Sequence, residues 1–267
     1  LNRTFSENVI VNIGANVAGS AKPAVDFTMQ PTIIIPAGQL TGTATLTAIQ
    51  DELVENDETI TIDVLSVVNA VPNGNLHLTS TINDDDVATI RVARSSDGYE
   101  GVRNCSFRIF TDKRIDRNVT VNVSVNGTAA AGTDYTTIPV SFTLTANTDS
   151  LIIPVSVLDD AEIEADESIV LLLQSTDYSK AMLAASPANA ATVTIFDKPV
   201  VTLSQSVNSF AENGGQNTIT VSLNKPWIAD VTVKFGSLAS GTATPVADFT
   251  FPDSIKIPAG SLTGMVI

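Results

Sequence analysis

Apolar and polar residues alternate with a period of two along most of this chain. Examples are VTVNVSV, ITIDV, ATVTI and TITVSL, and turn residues separate such stretches at short spacing. Alternation of this kind predicts strands that bury one face and expose the other. No stretch combines a helix cap with a period of 3.6 residues. The pattern therefore predicts an all-β protein.

The strand pattern itself repeats along the chain. The segment that starts at Leu1 aligns without a gap with the segment that starts at Leu223, and roughly two positions in five are identical. The matches include Asp26 with Asp248 and the tetrapeptide IPAG in both copies. A more diverged copy runs from Asn118. The repeating unit is about 110 residues long, the size of one small sandwich domain.

Seven or so short strands in a unit of this size predict a two-sheet antiparallel sandwich with immunoglobulin-like topology. We expect three such units in tandem, forming an elongated rod, at residues 1–86, 87–198 and 199–267. The first unit lacks its first strands, the second is complete, and the third lacks its last strands. This predicts a fragment of a longer array; strands donated by a neighbouring chain are the less favoured alternative.

Composition and charge exclude several classes of partner. The chain carries 29 acidic and 14 basic residues, for a formal charge of −15, which argues against binding to nucleic acid. No apolar run is long enough to span a bilayer, so we expect no membrane insertion. Cys105 is the only cysteine. The absence of an intrachain disulfide fits a cytosolic protein or a secreted one that is braced by metal or size.

The acidic residues are concentrated at a few places in each unit. An aspartate follows a glycine-containing loop at Asp26, Asp134 and Asp248. A second group lies between two strands, at Asp51, Glu52, Glu55, Asp57 and Glu58 in the first unit and at Asp159, Asp160, Glu162, Glu164, Asp166 and Glu167 in the second. The unit ends with Asp84, Asp85 and Asp86 in the first copy and with Asp197 in the second. A further glutamate lies near the start of a unit, at Glu100 and Glu212.

A sandwich gathers its loops at two ends, so several of these acidic segments can converge at one pole. Carboxylates in one small volume repel each other, and calcium relieves the repulsion by taking about 6–8 oxygen ligands at about 2.3–2.6 Å. Zinc and copper are poor candidates because no His or Cys accompanies the acids. The alternative is that the acids are solvated loop charges. Their recurrence at matched positions in two units favours a metal.

Four sequence elements occur in order over nearly the whole chain: AENGG, G(T/S)-x-DF/Y, (D/Q)(D/E)xxxExDE and TVTI-x-D. In these elements the chain resembles the Calx-beta repeat. The resemblance implies a seven-strand immunoglobulin-like sandwich, found in sodium–calcium exchangers, an integrin subunit and long bacterial surface proteins. It also implies that calcium, where it binds, clusters at the end that bears the C-terminal acids of the domain.

The resemblance assigns candidate calcium ligands position by position. In the first unit they are Asp26, Asp51, Glu55, Asp84, Asp85 and Asp86, with Glu52 and the Leu53 carbonyl as additional candidates. In the second unit they are Glu100, Asp134, Asp159, Asp160, Glu164 and Asp197. Lys198 and Pro199 stand where the first unit has two of its terminal acids, so we expect fewer ions or none at that joint. The third unit keeps only Glu212 and Asp248.

Catalytic constellations are missing from the sequence. His77 is the only histidine, and no GxSxG, GxxxxGK[ST], GxGxxG or HExxH motif occurs. Acids that recur in every unit indicate a repeated structural need, so we expect no enzymatic activity. Trp227 is the only tryptophan and aligns with Phe5. It could be a sugar-stacking platform, but packing of a strand-connecting loop is the favoured interpretation.

These observations together predict a calcium-stiffened stalk segment of a long bacterial, Bacteroidetes-type surface adhesin or secreted filament. Such a segment is extracellular, and its partners are the neighbouring repeats of the same chain. A surface or carbohydrate target would lie outside the segment, and gliding adhesins fit by resemblance alone. Two other functions stay open: a calcium-sensing regulatory module, and a carbohydrate-binding accessory module of a secreted enzyme.

Overall fold

The computed structural model describes residues 1–236, 242–244, 246 and 248–266. These residues form twenty β-strands and no helix, which confirms the predicted all-β class. Across the same ranges there is accordingly no helix with the length and apolar character to cross a membrane.

The middle of the chain forms a complete two-sheet sandwich. Its strands are β7 (Ala88–Ser96), β8 (Gly98–Tyr99), β9 (Cys105–Thr111), β10 (Val119–Gly127), β11 (Ser141–Leu144), β12 (Ser150–Val155), β13 (Glu167–Thr176), β14 (Ala181–Leu183) and β15 (Ala190–Phe196). One sheet has the order β11-β10-β13-β15-β8 and the other β12-β9-β7-β14. The alternation places Phe107 and Ile109 of β9 in one core cluster with Ile169 and Leu171 of β13, and all four are fully buried. This is the tandem-sandwich unit that the sequence predicts.

The beginning of the chain repeats part of this unit. Its strands are β1 (Val9–Asn16), β2 (Phe27–Met29), β3 (Thr32–Ile35), β4 (Leu46–Ala48), β5 (Glu58–Val68) and β6 (His77–Ile82). They form a sheet with the order β3-β1-β5-β6 and a two-stranded β2-β4 sheet. The pairing of β1 with β5 shifts register after Asn12, as that of β10 with β13 does after Asn122. A shared β-bulge at matched positions indicates that the two units have the same backbone course.

The end of the chain forms a third set of strands, β16 (Val201–Gln205), β17 (Ile219–Leu223), β18 (Val231–Lys234), β19 (Ser254–Ile257) and β20 (Thr263–Val266). They pair as β16-β17-β20 and β18-β19. Val221, Leu223, Trp227, Ile255 and Ile257 form their core. Tandem sandwiches are thus confirmed, while the unit limits at residues 86 and 198 remain a prediction.

The topology places the acidic segments at one end of the first unit and of the second unit. In the first unit, β5 starts at Glu58 directly after the acidic loop 51–57, and its neighbour β6 ends at Ile82 just before the acids at 84–86. In the second unit, β13 starts at Glu167 and its neighbour β15 ends at Phe196. Antiparallel neighbours bring the start of one strand beside the end of the other, so both acidic segments meet.

Candidate metal centres

The aspartate that follows the glycine-containing loop is fixed in the same way in all three units. The backbone N–H of the residue four positions earlier donates to Oδ2 of Asp26, Asp134 and Asp248, at 2.5, 2.5 and 2.6 Å. Asp26 and Asp134 are buried, whereas Asp248 is exposed. The turn therefore holds one carboxylate of each site in place before any ligand binds.

A second repeated contact ties the acidic loop to the end of the unit. In the first unit, the Glu55 N–H donates to Asp84 Oδ2 at 2.9 Å, and in the second the Glu164 N–H donates to Asp197 Oδ2 at 2.9 Å. The two pairs occupy matched positions in the repeat. Asp84 and Asp197 therefore have the same place in their respective sites.

A cleft at the end of the first unit collects the carboxylates. It is lined by Asp26, Ala48, Ile49, Gln50, Asp51, Glu55, Asn56, Glu58, Ile82, Asn83, Asp84, Asp85 and Asp86. Within it, one oxygen each of Asp26, Glu55 and Glu58 lie within 4.8 Å of one another, and so do those of the three consecutive aspartates at 84–86. Two adjacent groups of acidic oxygens thus line one cleft.

The electrostatics of this cleft show carboxylates that crowd each other. Burial, together with the neighbouring Asp26 carboxylate, raises the pKa of Glu58 to about 7. Burial and the charges of Asp26 and Asp51 also raise the pKa of Glu55. Two acids that share a confined space cannot both ionise without cost, and a bound cation removes that cost.

The second unit has the corresponding groups. Ligand oxygens of Glu100, Asp160 and Glu164 lie within 4.8 Å of one another, and so do those of Asp134, Glu164 and Glu167. Burial and the adjacent Asp134 raise the pKa of Glu167 to about 7. The Asp134–Glu167 pair therefore matches the Asp26–Glu58 pair of the first unit.

Glu100 reaches this site because the first strand of the unit changes sheets. β7 belongs to one sheet and β8 to the other, and after β8 the Glu100 N–H donates to the Phe196 carbonyl at 3.1 Å. The side chain of Glu100 is only 3% exposed, and its Oε2 has no hydrogen-bond partner among the described residues. Burial and the neighbouring Asp197 raise its pKa to about 7. A buried carboxylate oxygen without a partner is costly unless a cation or proton joins it.

Some candidate ligands lie outside these groups. Asp51 lines the first cleft but accepts the Leu53 N–H at 2.8 Å, and Glu52 is exposed and belongs to neither group of oxygens. Asp159 forms an ion pair with Lys198. Glu58 and Glu167 were not among the ligands predicted from the sequence. Both end the ExDE motif of their unit, and this shared position was a usable signal.

Lysine side chains occupy both sites, which the sequence predicts for the second unit only. There, Lys198 pairs with Asp159 and donates to the Asp160 carbonyl at 2.7 Å. At the first site, Lys113 and Lys180 of the following unit reach back to the acids at 84–86. Because these lysines come from the next unit, spacing within the first unit gave no indication of them.

The acidic loop of the first unit also inserts an apolar side chain into the second unit. Val54 is fully buried and belongs to the core cluster of the second sandwich. Its N–H donates to the Arg114 carbonyl at 2.9 Å, and its carbonyl accepts the Asp116 N–H at 3.1 Å. The Tyr178 hydroxyl donates to the Glu55 carbonyl at 2.6 Å. We call this contact region, which comprises loop 51–57, residues 84–86 and the residues of the second unit that they touch, the first joint.

The contact region between the second and third units, the second joint, is built differently. The ring of Tyr99 stacks on Phe196 with centroids 4.6 Å apart and meets Trp227 edge-on at 5.4 Å. Lys225 Nζ lies 2.5 Å from Asp166 Oδ1. Ile163 occupies the repeat position of Val54, yet it is 76% exposed. Trp227 is buried, which agrees with the packing interpretation and not with an open sugar platform.

The donor set of both sites fits a hard cation. The grouped side chains are carboxylates, and a buried Glu100 oxygen lacks a partner in the described structure. Calcium takes several carboxylate and carbonyl oxygens in flexible geometry. In the first unit the groups of Asp26, Glu55 and Glu58 and of the acids at 84–86 would hold it. In the second unit, calcium would be held by Glu100, Asp134, Asp160, Glu164 and Glu167.

Tandem antiparallel sandwiches with carboxylate clusters at their joints define a class of modular repeat protein. The Calx-beta domain model matches residues 1–91, 83–199 and 197–254, and the chain belongs to the Calx-beta domain family. Domains of this family are binding or structural modules rather than catalytic ones. No curated protein matches the chain.

Several solved structures are similar to this chain at low identity. The apo form of the Calx CBD1 domain is 23% identical and covers 42% of this chain and 99% of its own, with a TM-score of 0.37. The calcium binding domain CBD12 of CALX1.1 is 18% identical over 70% of this chain and 87% of its own, with a TM-score of 0.31. A two-domain protein of unknown function from Bacteroides fragilis is 10% identical over 67% and 87%, with a TM-score of 0.29.

Proposed function

We propose that this chain is a calcium-stiffened stalk segment of a long bacterial surface adhesin or secreted filament. The observation that carries the proposal is the position of the acids. The loop that supplies Glu55 to the first carboxylate group also supplies Val54 to the core of the next unit. A cation that orders this loop would order the contact between the two units at the same time.

The proposed mechanism is mechanical. Calcium would neutralise the crowded carboxylates, fix loop 51–57 against residues 84–86, and so restrict rotation at the first joint. Binding to the folded state alone adds stability by mass action, about 2.7 kcal/mol at a concentration 100 times the dissociation constant. An extracellular location agrees with this role, because calcium modules there work with dissociation constants of about 10⁻⁴–10⁻³ M.

A calcium-sensing module is the second candidate, and one contact favours it. The Tyr178 hydroxyl of the second unit donates to the carbonyl of Glu55, a candidate ligand residue, at 2.6 Å. A change of loop conformation on metal binding would therefore reach the second unit directly. The two functions differ in calcium affinity, because sensors work at about 10⁻⁷–10⁻⁵ M.

Thermal unfolding and small-angle scattering, each with calcium and with chelator, test the proposal. We expect calcium to raise the melting temperature and to narrow the distribution of shapes of the wild-type chain. The triple change Asp84→Asn, Asp85→Asn and Asp86→Asn should abolish most of both effects. The control is Asp149→Asn, an aspartate in the second unit that belongs to neither group of acidic oxygens. Equal responses of the triple variant and the wild type would contradict the assignment of the first site.

A further inference from the structure

One basic position recurs in all three units. Aligning the units on Phe5, Ile115 and Trp227 places Arg3, Lys113 and Lys225 at the same position of the repeat. The alignment agrees with the structure, because the carbonyls of Phe5, Ile115 and Trp227 each accept a backbone N–H from the turn that follows β3, β11 and β19, respectively, at 2.8, 2.7 and 2.8 Å. A shared basic position stands out in a chain with only 14 Lys and Arg.

The two lysines at this position reach back across a joint to an acid of the preceding unit. Lys113 forms an ion pair with Asp86, whose side chain is 8% exposed. Lys225 Nζ lies 2.5 Å from Asp166 Oδ1, at the repeat position of Asp57. The same residue type at the same position thus makes the same kind of contact twice.

A second lysine strengthens this contact at the first joint. Lys180 Nζ lies 2.7 Å from the Asp84 carbonyl, 3.0 Å from Asp84 Oδ2 and 3.2 Å from Asp57 Oδ1. An ammonium has three N–H donors, and here three oxygens of the preceding unit surround it. Its side chain is only 23% exposed, so water screens these contacts incompletely.

The lysines use oxygens that a metal would also need. Asp84 and Asp86 belong to the carboxylate group at 84–86, and each already has an ammonium beside it. A divalent cation on the same oxygens would lie within a few ångströms of the ammonium groups and be repelled by them. Occupation of the group by calcium therefore requires that these side chains move away.

We propose that Lys113 and Lys180 are resident cations of the first joint, which hold the two units together without metal and which calcium must displace. The two lysines then set the calcium affinity of the site and keep the carboxylates paired when calcium is scarce. This inference rests on the proposed function, because it concerns the metal site at the same joint.

Calcium titration of the full chain by calorimetry tests the inference with Lys113→Met and Lys180→Met. Each change removes a competing charge and keeps the aliphatic stem, so calcium should bind about fivefold tighter or more than in the wild type. Lys180→Arg keeps the charge and should bind calcium close to the wild-type affinity. Lys256→Met is the matched control, because it also removes an ammonium paired with an aspartate, Asp230, but in the third unit.

The same lysine changes in a chain without the Asp84 and Asp86 carboxylates show whether the tighter calcium binding arises at the first joint. In a chain that carries Asp84→Asn and Asp86→Asn, the lysine changes should no longer tighten calcium binding. In chelator, scattering should show a wider distribution of shapes for Lys113→Met and Lys180→Met than for Lys256→Met. This readout does not depend on metal.

The outcomes separate this inference from the proposed function. Wild-type binding without tightening in the lysine variants overturns the competition and leaves the calcium joint standing. Binding by the lysine variants alone supports the competition and removes calcium from the function of the wild-type chain. No calcium binding by any variant overturns both. Weaker binding in the lysine variants than in Lys256→Met would show that the lysines assist the metal, and the inference fails.

Discussion

The first and second joints contain the same arrangement of acids but join their units by different contacts. In both, an acidic loop is tied by a backbone N–H to the acid that ends the unit, Asp84 or Asp197. At the first joint, Val54 of that loop is buried in the next sandwich, whereas Ile163 at the matched position is exposed. The carboxylate geometry is therefore a property of the single unit, whereas the docking contact depends on which two units meet.

The joints also differ in the origin of their positive charge. At the first joint the ammonium groups that meet the acids at 84–86 come from the following unit, through Lys113 and Lys180. At the second joint, Lys225 of the following unit pairs with the loop acid Asp166, but an additional ammonium comes from the same unit: Lys198 pairs with Asp159, which raises the pKa of Lys198. Metal binding to the acids and contact between the two units therefore depend on the same side chains at the first joint, and do so less at the second.

The greatest loss of stability is expected at the second joint. Trp227→Ala removes a buried side chain from the third core and from its contact with Tyr99, and should lower the free energy of unfolding by about 3–5 kcal/mol. Calorimetric scans of the whole chain should show this loss in the transition of the third unit. Trp227→Phe should retain most of the stability, and an unchanged third transition in Trp227→Ala would contradict the packing role.

An intermediate effect is expected at the first joint. Val54→Ala removes two buried methyl groups from the second core and should lower the free energy of unfolding by about 1.5 kcal/mol, at about 0.8 kcal/mol per buried carbon. Ile163→Ala is the matched control and should change it by less than about 0.5 kcal/mol, since Ile163 is exposed. Chemical denaturation in chelator measures both. Similar losses of unfolding free energy in the two variants would contradict the claim that Val54 is docked in the next unit and Ile163 is not.

A further effect is a pH dependence of the metal-free chain. Glu58, Glu100 and Glu167 have pKa values of about 7 when folded, against 4.5 as the ordinary value. The folded state therefore holds protons that the unfolded state releases. The stabilisation that these three glutamates contribute is fully present below about pH 4.5 and is lost as the pH rises through about 7. In chelator the melting temperature should be higher at pH 5 than at pH 8.

Glutamine at these positions imitates the protonated acid. Glutamine variants therefore show how much of the pH dependence each unit contributes. The double change Glu100→Gln and Glu167→Gln should remove more of the pH dependence than Glu58→Gln, because the second unit has two such pairs. Asp84 does not obscure this test: its pKa is lowered by the Glu55 N–H and Lys180 in spite of burial, so it titrates below the same window. A melting temperature that rises from pH 5 to pH 8 in chelator would contradict the pairing of these acids.

Repeat alignment predicted much of this structure because the same local contacts recur in each copy. The period-two pattern gave the strands, and the matched positions of Asp84 and Asp197 correspond to the same hydrogen bond in two units. The partner acid of Asp26 was overlooked, since Glu58 opens strand β5 and was counted among the acids of the loop without a role of its own.

Residue spacing within one unit could not predict the contacts between units. Val54 and Ile163 are both apolar residues among acids, and nothing local distinguishes the buried one from the exposed one. Their difference depends on the neighbour: Val54 meets Ile115 and Arg114, whereas the third unit offers Trp227, which packs against Tyr99. The basic residue that recurs at Arg3, Lys113 and Lys225 was a signal in the sequence, and two of its three copies, Lys113 and Lys225, form ion pairs across a joint.

The position of Trp227 has a practical consequence for solution work. The chain contains a single indole, and it lies edge-on to Tyr99 at the second joint, with Phe196 in the same cluster. Its ultraviolet emission is therefore a label-free reporter of that joint and of the third core to which the ring belongs, because exposure of the ring to water would shift the emission to longer wavelength. The first joint is silent at this wavelength and makes a natural internal contrast.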